Sequence, residues 1–134
     1  MELKLNKLNY EDIKIGDVHS FERTIEADDV KRFAELSGDQ NPLHAEGGVV
    51  HGMLLGGLFS ALIGMLCPGE KSLYLSQNLN FRRLLKIGSP VKVEGRVVNK
   101  SDAAKIIELA MAIKDSNGAV LVDGAAQVKF RIDD

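Results

Sequence analysis

Residues 51–69 read HGMLLGGLFSALIGMLCPG. Leu54, Leu58, Leu62 and Leu66 recur every four residues beside Leu55, Phe59 and Ile63, and the run stops at Pro68-Gly69. So little polar face is left that the spacing predicts a buried helix. Gly56, Gly57 and Gly64 each cost about 1 kcal/mol relative to alanine inside a helix, a loss that close packing against a sheet offsets. The apolar run from Met53 to Cys67 is broken by those glycines and is shorter than the roughly 20 residues a membrane span needs.

On the C-terminal side the period changes from helical to two. Leu73, Leu75, Leu79 and Phe81 alternate with Tyr74, Asn78 and Asn80, and Val91, Val93 and Val97 alternate with Lys92, Glu94 and Arg96. Ile107, Leu109, Met111 and Ile113 continue the pattern, Asn117-Gly118 marks a hairpin, and residues 119–132 return as a last strand. On the N-terminal side, residues 18–25 suit a first strand. An acidic opening, EADD, then leads into VKRFAELS, an amphipathic helix that Gly38 stops. Long antiparallel strands around one apolar helix predict an α+β class.

The chain has 134 residues, the size of one domain, expected over residues 1–134. It is 45% hydrophobic and 27% charged, and its net charge of −2 argues against non-specific nucleic-acid binding. Cys67 is the one cysteine, so neither a disulfide framework nor a paired-cysteine metal site is expected. MELKLNKLNY lacks the apolar core of a signal peptide, and the expectation is a cytoplasmic protein with no membrane partner.

Between the two predicted helices lies SGDQNPLHAEGGVVHGM, residues 37–53. Asp39 and Asn41 have two readings there: they cap and turn the chain after the first helix, or they carry chemistry with His44. His44 gains meaning only from its spacing to Asp39. His51 is expected to be mainly structural, fixing the loop at the helix entry. Cys67 reads as a small core residue, since no charged partner is near it in sequence, and His19 sits on a strand face. Arg82, Arg83 and Lys86 form a basic cluster, ordinarily a solvated face.

Three stretches, TIEADDVKRFAELSGDQNPLH, VHGMLLGGLFSALIGMLCPG and YLSQNLNFRRLLKIGSPVKVEGRV, resemble in order the MaoC-like (R)-specific enoyl-CoA hydratases. The specific element is Asp-x-Asn-Pro-x-His followed by His-Gly-Met. The resemblance implies a hot-dog fold, a curved antiparallel sheet wrapped around the central helix. It also implies hydration of a trans-2-enoyl thioester to the (R)-3-hydroxyacyl product, or the reverse dehydration, with no metal or organic cofactor.

In that family the motif Asp and His, here Asp39 and His44, hold the catalytic water and exchange its protons. Which of them protonates C2 is left open. The family glycine at the helix entry, here Gly52, supplies an N–H to the thioester oxygen, and Gly suits that position because nothing but hydrogen stands between backbone and substrate. Ser60 matches a family serine that orients the pair; its other reading is a bond back to the Gly56 carbonyl. Asn41, Leu55, Phe59, Arg82 and Arg83 are the expected substrate contacts, the arginines at coenzyme A phosphates.

A coenzyme A or acyl-carrier-protein thioester is the expected partner, together with a second copy of the chain, because sheet edges and a small core favour a dimer. The rival readings are a hot-dog thioesterase, which would direct water at C1, and a non-catalytic acyl-thioester-binding protein. One departure stands out. The family carries a longer, commonly helical overhang between the motif histidine and His-Gly-Met, whereas only AEGGVV, residues 45–50, stands here.

Overall fold

Alternation with a period of two commits the second half of the chain to strands, and the structure pairs them all antiparallel. The computed structural model describes residues 2–131. Its main elements are β1 (Val18–Thr24), α1 (Ala27–Ser37), α2 (Gly52–Ala61), β2 (Ser72–Gln77), β3 (Asn80–Phe81), β4 (Pro90–Ser101), β5 (Ile106–Lys114) and β6 (Val120–Phe130). The sheet runs β1-β4-β5-β6-β2, with β3 beside β6 on the same edge as β2. This is the expected hot-dog arrangement: α2, prolonged by a π-helical turn over Leu62–Leu66, packs on one face of the sheet. Among the described residues no helix is long and apolar enough to cross a membrane.

The core follows the alternation in β4 and β5. Val91, Val93 and Val97, then Ile107, Leu109, Met111 and Ile113, all point inward and are buried against Leu55, Leu58, Phe59, Leu62 and Ile63 of the helical segment. β5 and β6 are joined by the expected turn, in which the Asp115 carboxylate accepts from the Asn117 and Ala119 amides. β6 ends at Phe130, and Ile132 of the expected last strand lies outside the described residues. Cys67 is fully buried, and desolvation pushes its thiol up to about 12, which makes it an unreactive core residue.

Two expectations need correction. Helix α2 is not covered all round: Leu55, Leu58 and Phe59 face the core, while Met53, Gly57 and Ser60 lie exposed on the other side. Of Gly56, Gly57 and Gly64 only Gly56 is closely packed, with Leu79 2.8 Å from where a Cβ would stand; Gly57 and Gly64 face open space. The edge strand also departs from alternation. Leu73 and Leu75 are each 47% exposed and Tyr74 takes the inward side, and a bulge between Tyr74 and Ser76 then shifts the register.

Asn78 then breaks the edge into β2 and β3. Its backbone N–H donates to the Ala125 carbonyl and its Oδ1 accepts from the Ala125 N–H, so side chain and backbone together replace one rung of the ladder. This close approach requires glycine at 124, where a Cβ would stand 1.9 Å from the Asn78 carbonyl oxygen. Gly124→Ala is therefore expected to destabilise by about 2 kcal/mol or more. Thermal unfolding should show a fall in Tm of roughly 5 °C or greater; an unchanged Tm would mean that the Asn78 junction shifts freely.

Candidate active site

The site begins where α1 stops. Gly38 adopts φ 83°, its N–H closes on the Ala34 carbonyl, and the chain turns sharply into Asp39. Ser37 Oγ accepts from the Asp39 N–H, Asp39 Oδ1 accepts from the Asn41 N–H at 3.2 Å, and Asn41 Oδ1 accepts from the Leu43 N–H at 3.0 Å. The turn-forming reading of Asp39 and Asn41 is thus correct as far as it goes. It uses one carboxylate oxygen of Asp39 and leaves the other, Oδ2, directed at His44.

His44 ends a short 3-10 turn begun by Pro42. Its Nδ1 lies 2.8 Å from the Val49 carbonyl oxygen. A carbonyl only accepts, so Nδ1 carries the hydrogen and Nε2 of the neutral ring is a bare lone pair. That lone pair lies 3.9 Å from Asp39 Oδ2, with the His44 side chain 13% and the Asp39 side chain 50% exposed. Two acceptors facing each other at this separation cannot bond directly. A group with two hydrogens, placed about 2.8 Å from each, bonds both.

Two cavities meet at this pair. One of 590 Å³ lies between α1 and the short link, against Val30, Ala34, Glu46 and Ile87. The other, of 310 Å³, lies at the start of α2, against Gly52, Leu55, Phe81, Arg83 and Leu84. Asp39 and His44 line both. Gly52 opens α2, so its N–H is one of the first-turn donors without an intrahelical acceptor, at the positive end of the helix. The Phe81 ring flanks it, with Cδ1 2.8 Å from the position of a Cβ.

The remaining expected contacts divide. Leu55 and Arg83 line the smaller cavity, and Asn41 lines the larger. Arg82 instead pairs with Asp123 at 3.3 Å, which anchors the edge strand. Phe59 is fully buried and lines neither cavity: it shares a face with Leu55 but lies one turn, about 6 Å, further along the helix and deeper in the core. Ser60 is exposed, roughly 12 Å of helix rise beyond Gly52. Among the described residues its hydroxyl bonds neither Asp39 nor His44, nor the Gly56 carbonyl. Sequence reasoning took Phe81 only as a strand residue and did not single out Leu84. Their signal was nearness in sequence to the basic cluster.

Asp39, His44 and His51 offer ligand atoms within 4.8 Å of one another. The two imidazoles are nearly parallel, 3.8 Å between centroids and 22° between planes, and one nitrogen of each is engaged by a carbonyl oxygen. Their remaining lone pairs lie side by side instead of converging, which suits a metal ion poorly.

Residues 13–118 match the MaoC like domain. The (R)-specific enoyl-CoA hydratase of Aeromonas caviae is 35% identical over 133 residues, covering 92% of this chain and 99% of that protein. The 3-hydroxybutyryl-CoA dehydratase of Methylorubrum extorquens is 34% identical, covering 94% of this chain and 86% of that protein. A solved R-hydratase of Pseudomonas aeruginosa superposes with a TM-score of 0.91 at 30% identity, covering 96% of this chain and 89% of that one. With its helix-bearing antiparallel sheet and its Asp39–His44 pair ahead of the His-Gly-Met entry, the chain belongs to the MaoC-like family of hot-dog proteins.

Proposed function

We propose that the protein hydrates trans-2-enoyl thioesters to (R)-3-hydroxyacyl thioesters and catalyses the reverse dehydration. The observation that carries this reading is the pair of acceptors, Asp39 Oδ2 and His44 Nε2, 3.9 Å apart in a cavity that also holds the Gly52 N–H. A water donating one hydrogen to each acceptor has its oxygen lone pairs turned outward, toward C3 of the substrate. As the C3–O bond forms, one water O–H bond breaks toward the pair and the C2=C3 electrons move onto the thioester oxygen, where the Gly52 N–H meets the developing charge. The proton held by Asp39 or His44 then forms the C2–H bond, and both groups return to their starting states.

Arg83, at the smaller cavity, is the side chain placed to meet a phosphate of the thioester's carrier, coenzyme A or acyl carrier protein. The active form on this reading is a homodimer: β2 has an unpaired edge, Leu73 and Leu75 are exposed on it, and one face of α2 is bare. Ser60, on that bare face, serves a site only through a second copy. The deciding experiment is a crotonyl-CoA hydration assay with chiral analysis of the product. Release of free thiol would replace this reading by a thioesterase, and binding without turnover by an acyl-thioester-binding protein.

The six-residue link has its own consequence. The larger cavity opens directly between α1 and residues 45–47, with no helical overhang above it. Acyl tails gain roughly 0.8 kcal/mol per methylene only where apolar surface covers them. Accordingly kcat/KM should change little between C4 and C8 substrates. A variant with a longer family-type segment between Glu46 and Val50 should become steeper in its length preference. A steep preference in the parent that insertion leaves unaltered would show that other elements build the acyl pocket.

A further inference from the structure

His51 is 2% exposed and, among the described residues, is the buried polar residue of the core. Its ring sits against Phe33, at 4.8 Å and 59°, and against His44, at 3.8 Å and 22°. Its Nε2 lies 3.1 Å from the Asp39 backbone carbonyl oxygen. The carbonyl accepts, so Nε2 carries the hydrogen. Nδ1 is buried with no hydrogen-bond partner among the described residues.

We propose that His51 is a positioning residue of the active site, an imidazole that holds His44 by its stacked face and Asp39 by its backbone carbonyl. It touches both members of the pair through different atoms, and so it fixes their separation. The charge-bearing groups around His44 are Asp39 and His51, Lys31, Glu35 and Glu46 at the larger cavity, and Arg83 at the smaller. Of these His51 alone stacks on its ring.

The turnover part of this inference rests on the hydratase reading; the stacking part does not. In NMR spectra of the wild-type protein the His44 ring protons should carry the upfield ring-current shift of a stacked neighbour. His51→Gln keeps an N–H donor and removes the ring, so that shift should be lost; His51→Phe keeps a ring and removes the donor, so it should be retained. Both variants should lower kcat for crotonyl-CoA at least about tenfold while KM stays within about threefold, since Asp39 and His44 are displaced but not replaced. A His51→Gln protein with wild-type kcat and wild-type His44 ring shifts overturns the proposal. If both variants fail to fold, the wild-type spectrum still decides, because His44 ring protons without the upfield shift overturn it. If the wild type does not hydrate crotonyl-CoA, the functional reading falls while the ring shifts judge the stack independently.

Discussion

Asp39→Asn and His44→Ala are each expected to cut hydration of crotonyl-CoA at least about a hundredfold while the fold is retained, as loss of a positioned general acid or base does. The turn should survive the first change, because an Asn at 39 can still accept from the Asn41 N–H that Asp39 Oδ1 now engages. Its amide NH2, however, would be directed at the His44 lone pair, putting a donor where the water needs an acceptor. His44→Ala removes a ring that is mostly buried and stacked on His51, so a modest loss of Tm should accompany it. Turnover read from the loss of enoyl absorbance, beside circular dichroism of each variant, makes the check. A folded Asp39→Asn protein with near-wild-type hydration would remove Asp39 from the mechanism and favour the binding-protein reading.

The second large effect is expected at Gly52. A Cβ there would meet Phe81 ring atoms at 2.8 and 2.9 Å, and the ring is 53% exposed, so it can swing outward without moving any backbone. Gly52→Val should therefore cost only about 1 kcal/mol of stability, mainly the helix preference of a β-branched residue. The rate should fall much further, by about a hundredfold or more, because the side chain and the displaced ring stand where the thioester oxygen reaches the N–H. Parallel measurement of Tm and kcat separates the two. A variant that loses fold and activity together would mark the glycine as a packing device and leave the oxyanion assignment without support.

Much of this architecture is legible in the sequence because it depends on local rules. The inward residues of β4 and β5, the stop at Gly38 and the turn at Asn117-Gly118 each follow from period or backbone preference. Leu73 and Leu75 were misread because alternation places them on one face of the strand without saying which face meets the core. The bare face of α2 was readable in principle. Met53, Gly57, Ser60 and Gly64 recur at helical spacing and, apart from Met53, are small or polar, but the many leucines around them masked the stripe. At the site, the spacing of Asp39 to His44 pointed to the pair. The stack of His51 on His44 and its bond to the Asp39 carbonyl were not readable, since both depend on how the link folds back on the turn.

The atom that sets the protonated nitrogen of His44 is the carbonyl oxygen of Val49, which belongs to the backbone. Any amino acid at 49 presents the same oxygen, so this part of the machinery can drift in sequence without drifting in chemistry, and side-chain scanning at that position would be blind to it. The one strict demand for a small residue lies next door: at Gly48 a Cβ would stand 2.2 Å from the Leu43 carbonyl oxygen. Apart from the glycine at 48, the contact to His44 therefore depends on how many residues separate Val49 from the helix entry more than on which side chain stands at 49. A designer who wishes to retune His44 has loop length beside Val49 as the available handle.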